Sequence, residues 1–438
     1  MRDLLILAIV AGGALYALRQ PWVGMLLWTW ISLMYPHEQW GYATASMPLA
    51  AVAAVATLTG LLMTKERRNP LDRPAVVALL VFTVWLCITL PFSYYFDLSY
   101  SLWNRSMKIF LMIFVTIALI DTRKKLDWFI WICVFAIGFY GVKGGAFTIA
   151  TAGAYRVWGP GGFIYGNNEL AVAIIMIIPL LRYVQLQMRN RWARRAMLGV
   201  MLLSTVGVLG SQSRGALVAV VAMTFFLWIK SRNKLMGAAV LVSAGLIMLS
   251  FMPESWWSRM DTIQTYQADD SALGRLNAWQ FAWRLALDNL FGGGFMIYLP
   301  DLFLKYAPDP DRIHAAHSIY FQVLGEHGFI GLILFLLVGI FTWLDATKLV
   351  RAAKADPALQ WAADLGNMVN VSMVGFATGG AFLSLAYFDL PYNIMIMVVS
   401  AIHVVRRMTT QSSSAQSIGA PAPRPVEPLA TLQPKVCP

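Results

Sequence analysis

The sequence predicts an all-α membrane protein whose chain crosses the bilayer many times. Of its 438 residues, 58% are hydrophobic and 13% are charged, and the mean hydropathy is +0.62. A soluble domain carries about 25% charged residues, so an ordinary soluble enzyme is excluded. Apolar runs long enough to span a bilayer as helices recur along the chain, and they lack the alternating polarity of β-barrel strands.

The number of crossings follows from these apolar runs. We expect about 12 transmembrane helices with both chain ends in the cytoplasm, and 11 or 13 stay open. The first 40 residues, interrupted at Arg19-Gln20-Pro21, cross either once or twice. The other expected spans are 45–63, 74–92, 106–120, 127–143, 169–185, 195–211, 214–230, 234–252, 325–346, 366–386 and 389–405.

The net charge is +12. In a membrane protein, the positions of the basic residues first indicate how the chain is oriented in the membrane, and not which partner it binds. Six short loops hold 20 of the 34 lysines and arginines, and we assign them to the cytoplasm. These loops surround residues 65–73, 123–125, 182–195, 230–234, 348–354 and 406–407. A nucleic-acid partner is therefore not expected.

The domain organisation is a single transmembrane bundle over residues 1–408, followed by a disordered cytoplasmic tail over 409–438 that is rich in Ser, Ala, Gln and Pro. The bundle includes one long outer loop, 253–316. An amphipathic helix is predicted inside this loop, with its apolar side facing lipid or the bundle. Its apolar positions are Leu276, Trp279, Trp283, Leu287 and Leu290.

The end of the long loop carries the first catalytic candidate. His317-Ser318 is followed by nine residues and then by Gly328-Phe329-Ile330-Gly331. An imidazole can accept a proton near neutral pH and so activate a hydroxyl group. The alternative is a polar histidine at the membrane interface. His314 and His327 are rival candidates.

Arginines on the outer side need an explanation other than positive-inside sorting. Arg214 opens a span directly after an outer turn, where it could clamp a phosphate or anchor the chain at lipid headgroups. Arg275 and Arg284 are nine residues apart, so they flank an ideal helix from opposite sides. They could share a pyrophosphate only if the helix bends or ends between them, and both have acidic neighbours as alternative partners.

Other polar residues on the outer side are candidates for substrate binding. Arg156 and Asn168 belong to the glycine-rich segment 143–168, where Asn168 could bind sugar hydroxyls or cap a helix. Asp389 could orient His317 or an arginine, or it could be an N-cap before Pro391. Glu326 is a second group that could orient His317.

We expect no metal and no cofactor. Asp309-Pro310-Asp311 resembles a metal-binding DxD motif only weakly, because acidic turns containing proline are common. The three cysteines form no disulfide framework and no zinc pattern. Phosphate-binding loops, Ser-His-Asp signatures and dinucleotide fingerprints are absent from the sequence.

Taken together, these motifs resemble the O-antigen ligase family of bacterial membrane glycosyltransferases. His317, Ser318, Gly328 and Gly331 meet the pattern that ends the long loop in this family. Gly166-Asn-Asn-Glu-Leu-Ala171, Ser213-Arg-Gly-Ala216 and Arg275-Leu-Asn-Ala-Trp279 with its glycine-rich turn are similar to three further family segments. The resemblance covers roughly residues 140–405.

The resemblance implies a GT-C-like, metal-independent inverting enzyme of the bacterial inner membrane with its active site facing the periplasm. Its donor would be a glycan on undecaprenyl pyrophosphate, and its acceptor a sugar hydroxyl of lipid A–core. His317 would be the general base, with Arg214 and Arg275, and less readily Arg284, holding the pyrophosphate. A protein O-oligosaccharyltransferase or O-antigen polymerase with the same donor is the nearest alternative. A polysaccharide or lipid transporter is another, although the sequence shows no internal repeat.

Overall fold

The structure is a computed structural model that describes residues 1–65, 67–230, 234, 235, 245, 270–353 and 356–417. Within these residues the secondary structure is helical, with no strand. The N-terminal helices are α1 (Arg2–Ala17), α2 (Pro21–Met34), α3 (Pro36–Trp40), α4 (Leu49–Met63), α5 (Pro74–Thr89), α6 (Phe96–Leu119), α7 (Arg123–Ala150) and α8 (Asn167–Gln187). They are followed by α9 (Arg191–Gly210), α10 (Arg214–Lys230), α11 (Asp270–Asp288), α12 (Pro300–Tyr306), α13 (Ile319–Ala352), α14 (Gln360–Gly380) and α15 (Asp389–Ser417).

Helices occupy most of every expected span from 45–63 to 389–405 except 234–252, most of which lies outside the described residues. By length and composition, six of the described helical segments are apolar enough to cross a membrane. They are Pro74–Phe92, Phe96–Leu119, Arg123–Ala150, Asn167–Gln187, Arg191–Gly210 and Ile319–Ala352. The protein is therefore a multi-pass helical membrane protein.

The short basic loops gather at one end of the bundle, which we name the basic end. Arg68, after α4, donates to the Ile117 carbonyl at 2.7 Å and to the Ser400 hydroxyl at 3.1 Å. Arg73, just before α5, pairs with Asp345 near the end of α13. Further links at this end are Arg123 over Trp361, Gln187 to Asp364 and Arg407 beside Asp121. Positive-inside sorting favours the cytoplasm for such an end.

The opposite end, named the His317 end, holds the loops after α7, α9 and α14 and the described part of the long loop. Gly210 at the end of α9 lies against Thr148 near the end of α7, and a Cβ on this glycine would clash with the threonine hydroxyl. Gly380 at the end of α14 lies against Ile319, with only 2.7 Å between an added Cβ and Ile319 Cδ1. The expected outer segments thus share one end.

The first 34 residues form two separate antiparallel helices, α1 and α2. A Cβ on Gly13 in α1 would lie 2.9 Å from Leu27 in α2, so the two helices are in close contact. The Asp3 carboxylate accepts hydrogen bonds from Tyr42 and Thr44, which follow α2 and α3. The chain therefore starts at the His317 end. The turn at residues 18–20 lets two short helices run side by side, so α1 begins at the end opposite the basic loops, whereas we expected the N-terminus on the side of those loops.

The amphipathic helix expected in the long loop is α11, and its buried face differs from the predicted stripe. Leu276, Trp283 and Leu287 are 41%, 48% and 65% exposed. The face that packs on the protein carries Phe281 and Leu285, both fully buried, together with small residues. Most of the predicted stripe is therefore exposed, where it can meet lipid, whereas Trp279 contacts the start of α13.

Helix α13 is broken at Gly328, whose backbone has φ 69° and ψ −174°. The turn that follows α11 fits into this break. Its Gly293 and Gly294 N–H groups donate to the carbonyls of Gly325 and Glu326, both at 2.9 Å. The break thus leaves these two carbonyls satisfied, and it ties the long loop to the bundle.

Replacing Gly328 with alanine is expected to lower the free energy of unfolding by about 2–5 kcal/mol, because this backbone region is nearly restricted to glycine and a Cβ would overlap the Leu290 carbonyl oxygen. Thermal unfolding of the purified protein in detergent measures the change. Gly339→Ala on the same helix is the matched control, since its Cβ would meet nothing closer than Met373 Cε at 3.9 Å. Equal stability of the two variants would show that an alanine at position 328 is not strained.

Candidate active site

His317 lies in a short connection between the long loop and α13, in a strained conformation. Its φ is 42°, in the left-handed region that residues other than glycine rarely adopt. The Trp279 indole N–H in α11 donates to the carbonyl of Ala316 at 2.7 Å, and the Trp279 ring stacks on Phe321 at 4.9 Å. Helix α11 thus holds the peptide that precedes His317. The sequence marked Trp279 only as an apolar position and a family motif residue.

His314 lies beside His317, with 5.0 Å between the ring centroids. The space for His314 comes from Gly274 in α11, because a Cβ there would lie 2.9 Å from the imidazole. The two histidines are therefore neighbours at one site. The third candidate, His327, lies apart from them, next to the break in α13.

Burial, together with the nearby charges of His314 and Arg275, lowers the pKa of His317 to about 4. Its ordinary value is 6.5. The imidazole is consequently neutral at physiological pH, which is the form that can accept a proton. The same environment makes it a weaker base, so proton transfer must accompany attack by the hydroxyl rather than precede it.

Arg275 connects three elements of the site. Its charge acts on His317 and also on Glu169 in the first turn of α8. Next to Glu169, Asn168 is half-buried, and the Asn167 amide donates to the carbonyl of Ser211 at 2.7 Å. The first turn of α8 therefore lies between Arg275 and the turn that leads to α10.

Arg156 and Arg214 both lie at that turn. The Arg156 guanidinium donates to the Gln212 side chain at 3.4 Å, and Arg214 follows two residues later as the first residue of α10. Arg214 is half-buried, and the next residue, Gly215, packs against Phe382 in the loop after α14. Arg275 thus lies on the His317 side of Asn167, and Arg156 and Arg214 lie on its Gln212 side.

Arg284 stays apart from Arg275. Helix α11 is continuous through both residues, so they lie about 13.5 Å apart along its axis and on opposite sides. Arg284 is exposed and contacts the Tyr306 carbonyl at 3.5 Å. The condition for a shared pyrophosphate site, a bend or end between the two arginines, is not met.

Glu326 and His327 belong to a buried polar network at the break in α13. The Tyr387 hydroxyl donates to Glu326 at 2.5 Å and lies 2.8 Å from His327 Nε2. The Thr89 hydroxyl lies 2.8 Å from the other ring nitrogen of His327. His327 is fully buried, so it stabilises the bundle and is not accessible to substrate. Glu326 also accepts a hydrogen bond from Gln322 at 3.5 Å. Within the described chain, no hydrogen bond joins Glu326 to His317.

Asp389 lies in a third group at the His317 end. Its buried carboxylate accepts a hydrogen bond from Ser32 at 2.5 Å, and the charge of Arg105 acts on it. Arg105 donates to the Tyr35 hydroxyl at 3.2 Å and covers the Phe163 ring at 4.1 Å. Sequence reasoning missed Arg105, which precedes the expected span 106–120 by one residue. A cation at the outer start of a span was the available signal.

The Asp309-Pro310-Asp311 turn has a structural role. The Asn277 side chain exchanges hydrogen bonds with the Asp309 backbone, at 2.8 and 3.0 Å. The Asp309 carboxylate lies 3.8 Å from Arg312. Across the residues that the structure describes, no three His, Cys, Asp or Glu side chains form a group that could hold a metal.

Fold and site together define a multi-pass helical membrane protein with a neutral histidine and a cation at one end of its bundle. Residues 198–336 match the family described as O-antigen ligase, and residues 1–190 match a family of unknown function, DUF5935. The match over this part of the chain supports the resemblance to the O-antigen ligase family. The matched domain includes Arg214, Arg275, Arg284, His317, Gly328 and Gly331. No curated protein matches the chain.

Proposed function

We propose that this protein transfers a glycan from undecaprenyl pyrophosphate to a sugar hydroxyl of lipid A–core on the periplasmic side of the inner membrane. The observation that carries the proposal is the neutral His317 beside Arg275, at the end of the bundle opposite the basic loops. The base and the cation that such a transfer needs are neighbours, and the proposed orientation puts them on the outer side of the membrane.

In the proposed step, the acceptor oxygen attacks the anomeric carbon of the donor while its proton passes to a ring nitrogen of His317. The bond between the anomeric carbon and the pyrophosphate oxygen breaks, and its electron pair leaves with undecaprenyl pyrophosphate. Arg275 stabilises the developing charge, with Arg214 as the second cation. Attack opposite the leaving group inverts the configuration of the sugar.

An apolar groove beside the site supports a lipid-linked donor. It has a volume of about 340 Å³ and begins at Ile319 and Tyr320, directly after His317-Ser318. It continues along α13 to Trp343 and is closed by α14 and by Pro391 at the start of α15. An isoprenoid chain in this groove would lie in the bilayer while its pyrophosphate reached the arginines.

Transfer by the purified protein tests the proposal. The protein in detergent would be mixed with an undecaprenyl-pyrophosphate glycan and EDTA, in parallel reactions containing lipid A–core, a pilin or no acceptor. A ladder of larger lipopolysaccharide supports the ligase. Glycan on the pilin would indicate a protein acceptor, and longer lipid-linked glycan without acceptor would indicate a polymerase. Intact donor in all three reactions would reject the glycosyl transfer.

Arg275→Ala is expected to lower kcat/KM for transfer about 100- to 1,000-fold, because it removes an arginine whose charge acts on His317. Arg284→Ala is the matched control on the same helix and should change kcat/KM less than about threefold, since this side chain is exposed. Both variants should unfold at similar temperatures. If Arg284→Ala were the more damaging variant, the pyrophosphate would have to lie on the other side of α11.

A further inference from the structure

The connection between α7 and α8, residues 151–166, presents three large aromatic side chains at the His317 end. We name it the aromatic loop. Tyr155, Trp158 and Tyr165 are 67%, 56% and 66% exposed. The Trp158 and Tyr165 ring centroids lie 6.2 Å apart, with 54° between the ring planes. The two rings therefore form one surface rather than two isolated positions.

The backbone that carries these rings is held in place. Val157 N–H donates to the carbonyl of Gly210 at 3.1 Å, and Gly159 N–H donates to that of Tyr165 at 3.0 Å. The Gln212 side chain donates to the Gly153 carbonyl at 3.0 Å. The exposure of the rings is therefore a property of an ordered, hydrogen-bonded loop.

The aromatic loop borders the candidate active site from two directions. Arg156, between the exposed rings, contacts Gln212 on the turn that leads to Arg214. Tyr165 lies four residues before Glu169, on which the charge of Arg275 acts. A molecule that is bound at His317 and extends past Arg275 and Glu169 would reach this loop.

Exposed apolar patches with polar rims mark sites that bind a ligand, a protein or a membrane. Aromatic rings carry negative charge on their faces, and the C–H groups on one face of a sugar ring are weakly positive and apolar. Neighbouring hydroxyls of the sugar would be met by polar groups such as Arg156 and Glu169. The chemistry of the loop therefore fits carbohydrate better than an acyl chain, which would not need the polar groups.

We propose that the aromatic loop is a carbohydrate-binding subsite in which Trp158 and Tyr165 stack on sugar rings of the transferred glycan, beyond the sugar that reacts at His317. This inference rests on the proposed function and extends it. It gives a role to a segment that lies within the match to the family of unknown function. It also predicts that donors with several sugars are bound better than donors with one.

The test compares two donors, an undecaprenyl pyrophosphate carrying one sugar and one carrying several repeat units. Trp158→Ala should raise KM for the long donor about five- to thirtyfold and leave KM for the single-sugar donor unchanged, while Trp158→Phe should keep most of the affinity. Trp192→Ala is the matched control, because Trp192 is 68% exposed but lies in the first turn of α9, at the basic end. Unchanged KM for both donors would overturn the subsite, and an equal rise for both would indicate membrane anchoring.

A binding measurement separates this inference from the proposed transfer. The probe is the lipid-free oligosaccharide released by mild acid from the host's own lipid-linked glycan, titrated calorimetrically into wild type and Trp158→Ala. Binding that is weakened by Trp158→Ala supports the subsite, even if the wild type transfers nothing. Binding that is the same in both proteins, or absent from wild type, rejects it.

Discussion

His317→Ala is expected to lower the rate of glycan transfer about 100- to 10,000-fold, because general-base catalysis contributes this much to comparable reactions. The acceptor hydroxyl would have to lose its proton to water. His403→Ala is the matched control, since His403 lies near Asp72 at the basic end. In vitro transfer at saturating donor measures the effect, and thermal unfolding checks that both variants are folded. Equal rates for wild type and His317→Ala would remove His317 from the mechanism while leaving the ligase in place.

The pH dependence of the wild-type transfer rate is a second test of the role of His317. Only the neutral imidazole accepts a proton, and the pKa of His317 is lowered to about 4. The rate should therefore be retained as the pH falls from 7 to about 5, where an ordinary histidine would already be mostly protonated. Arg275→Gln removes one cause of the lowered pKa, so the acidic limb of its residual activity should move to higher pH. A wild-type limb near pH 6.5 would contradict the environment described for His317.

Asp345→Ala is expected to lower the free energy of unfolding by about 3–5 kcal/mol, because it leaves Arg73 buried without its carboxylate. Only 6% of the Arg73 side chain and 2% of that of Asp345 are exposed. Two hydrogen bonds join them, one from Arg73 Nε at 3.0 Å. Unfolding in detergent, by heat or by denaturant, measures the loss.

Two further variants show whether this loss comes from the unpaired charge. Arg73→Met combined with Asp345→Leu should recover most of the stability, since apolar pairs of similar volume can replace buried ion pairs. Asp127→Ala breaks the exposed pair with Arg123, 30% and 40% exposed, and should cost less than about 1 kcal/mol. A double variant as unstable as Asp345→Ala would show that the shape of this contact matters more than its charge.

Much of the architecture could be predicted because the bilayer imposes it. Helices must be long and apolar, and cations must collect on one side, so the positions of most described helices and the basic end followed from residue type alone. Which face of α11 is buried could not be predicted in the same way. Its helix carries one apolar stripe with Leu276 and Trp283 and another with Phe281 and Leu285, and only tertiary packing decides which is buried.

Those residues of the candidate site that belong to short sequence motifs could be predicted. His317 and Arg275 were both identified from sequence, and their proximity depends on how α11 packs against the start of α13. Partners that are distant in sequence were not predictable. Asp389 bonds to Ser32, 357 residues away, and Glu326 bonds to Tyr387. Nothing in the sequence pattern joins these pairs.

The break at Gly328 also explains why nine residues separate His317-Ser318 from the glycines of the motif. The turn after α11 fastens itself to the carbonyls of Gly325 and Glu326, so the helical segment before the break is fixed in rotation as well as in position. Each residue of a helix turns the chain by about 100° and advances it by about 1.5 Å. One residue more or fewer in this segment would point the imidazole away from Arg275. The spacing of the motif thus fixes the direction in which the proposed base, His317, points.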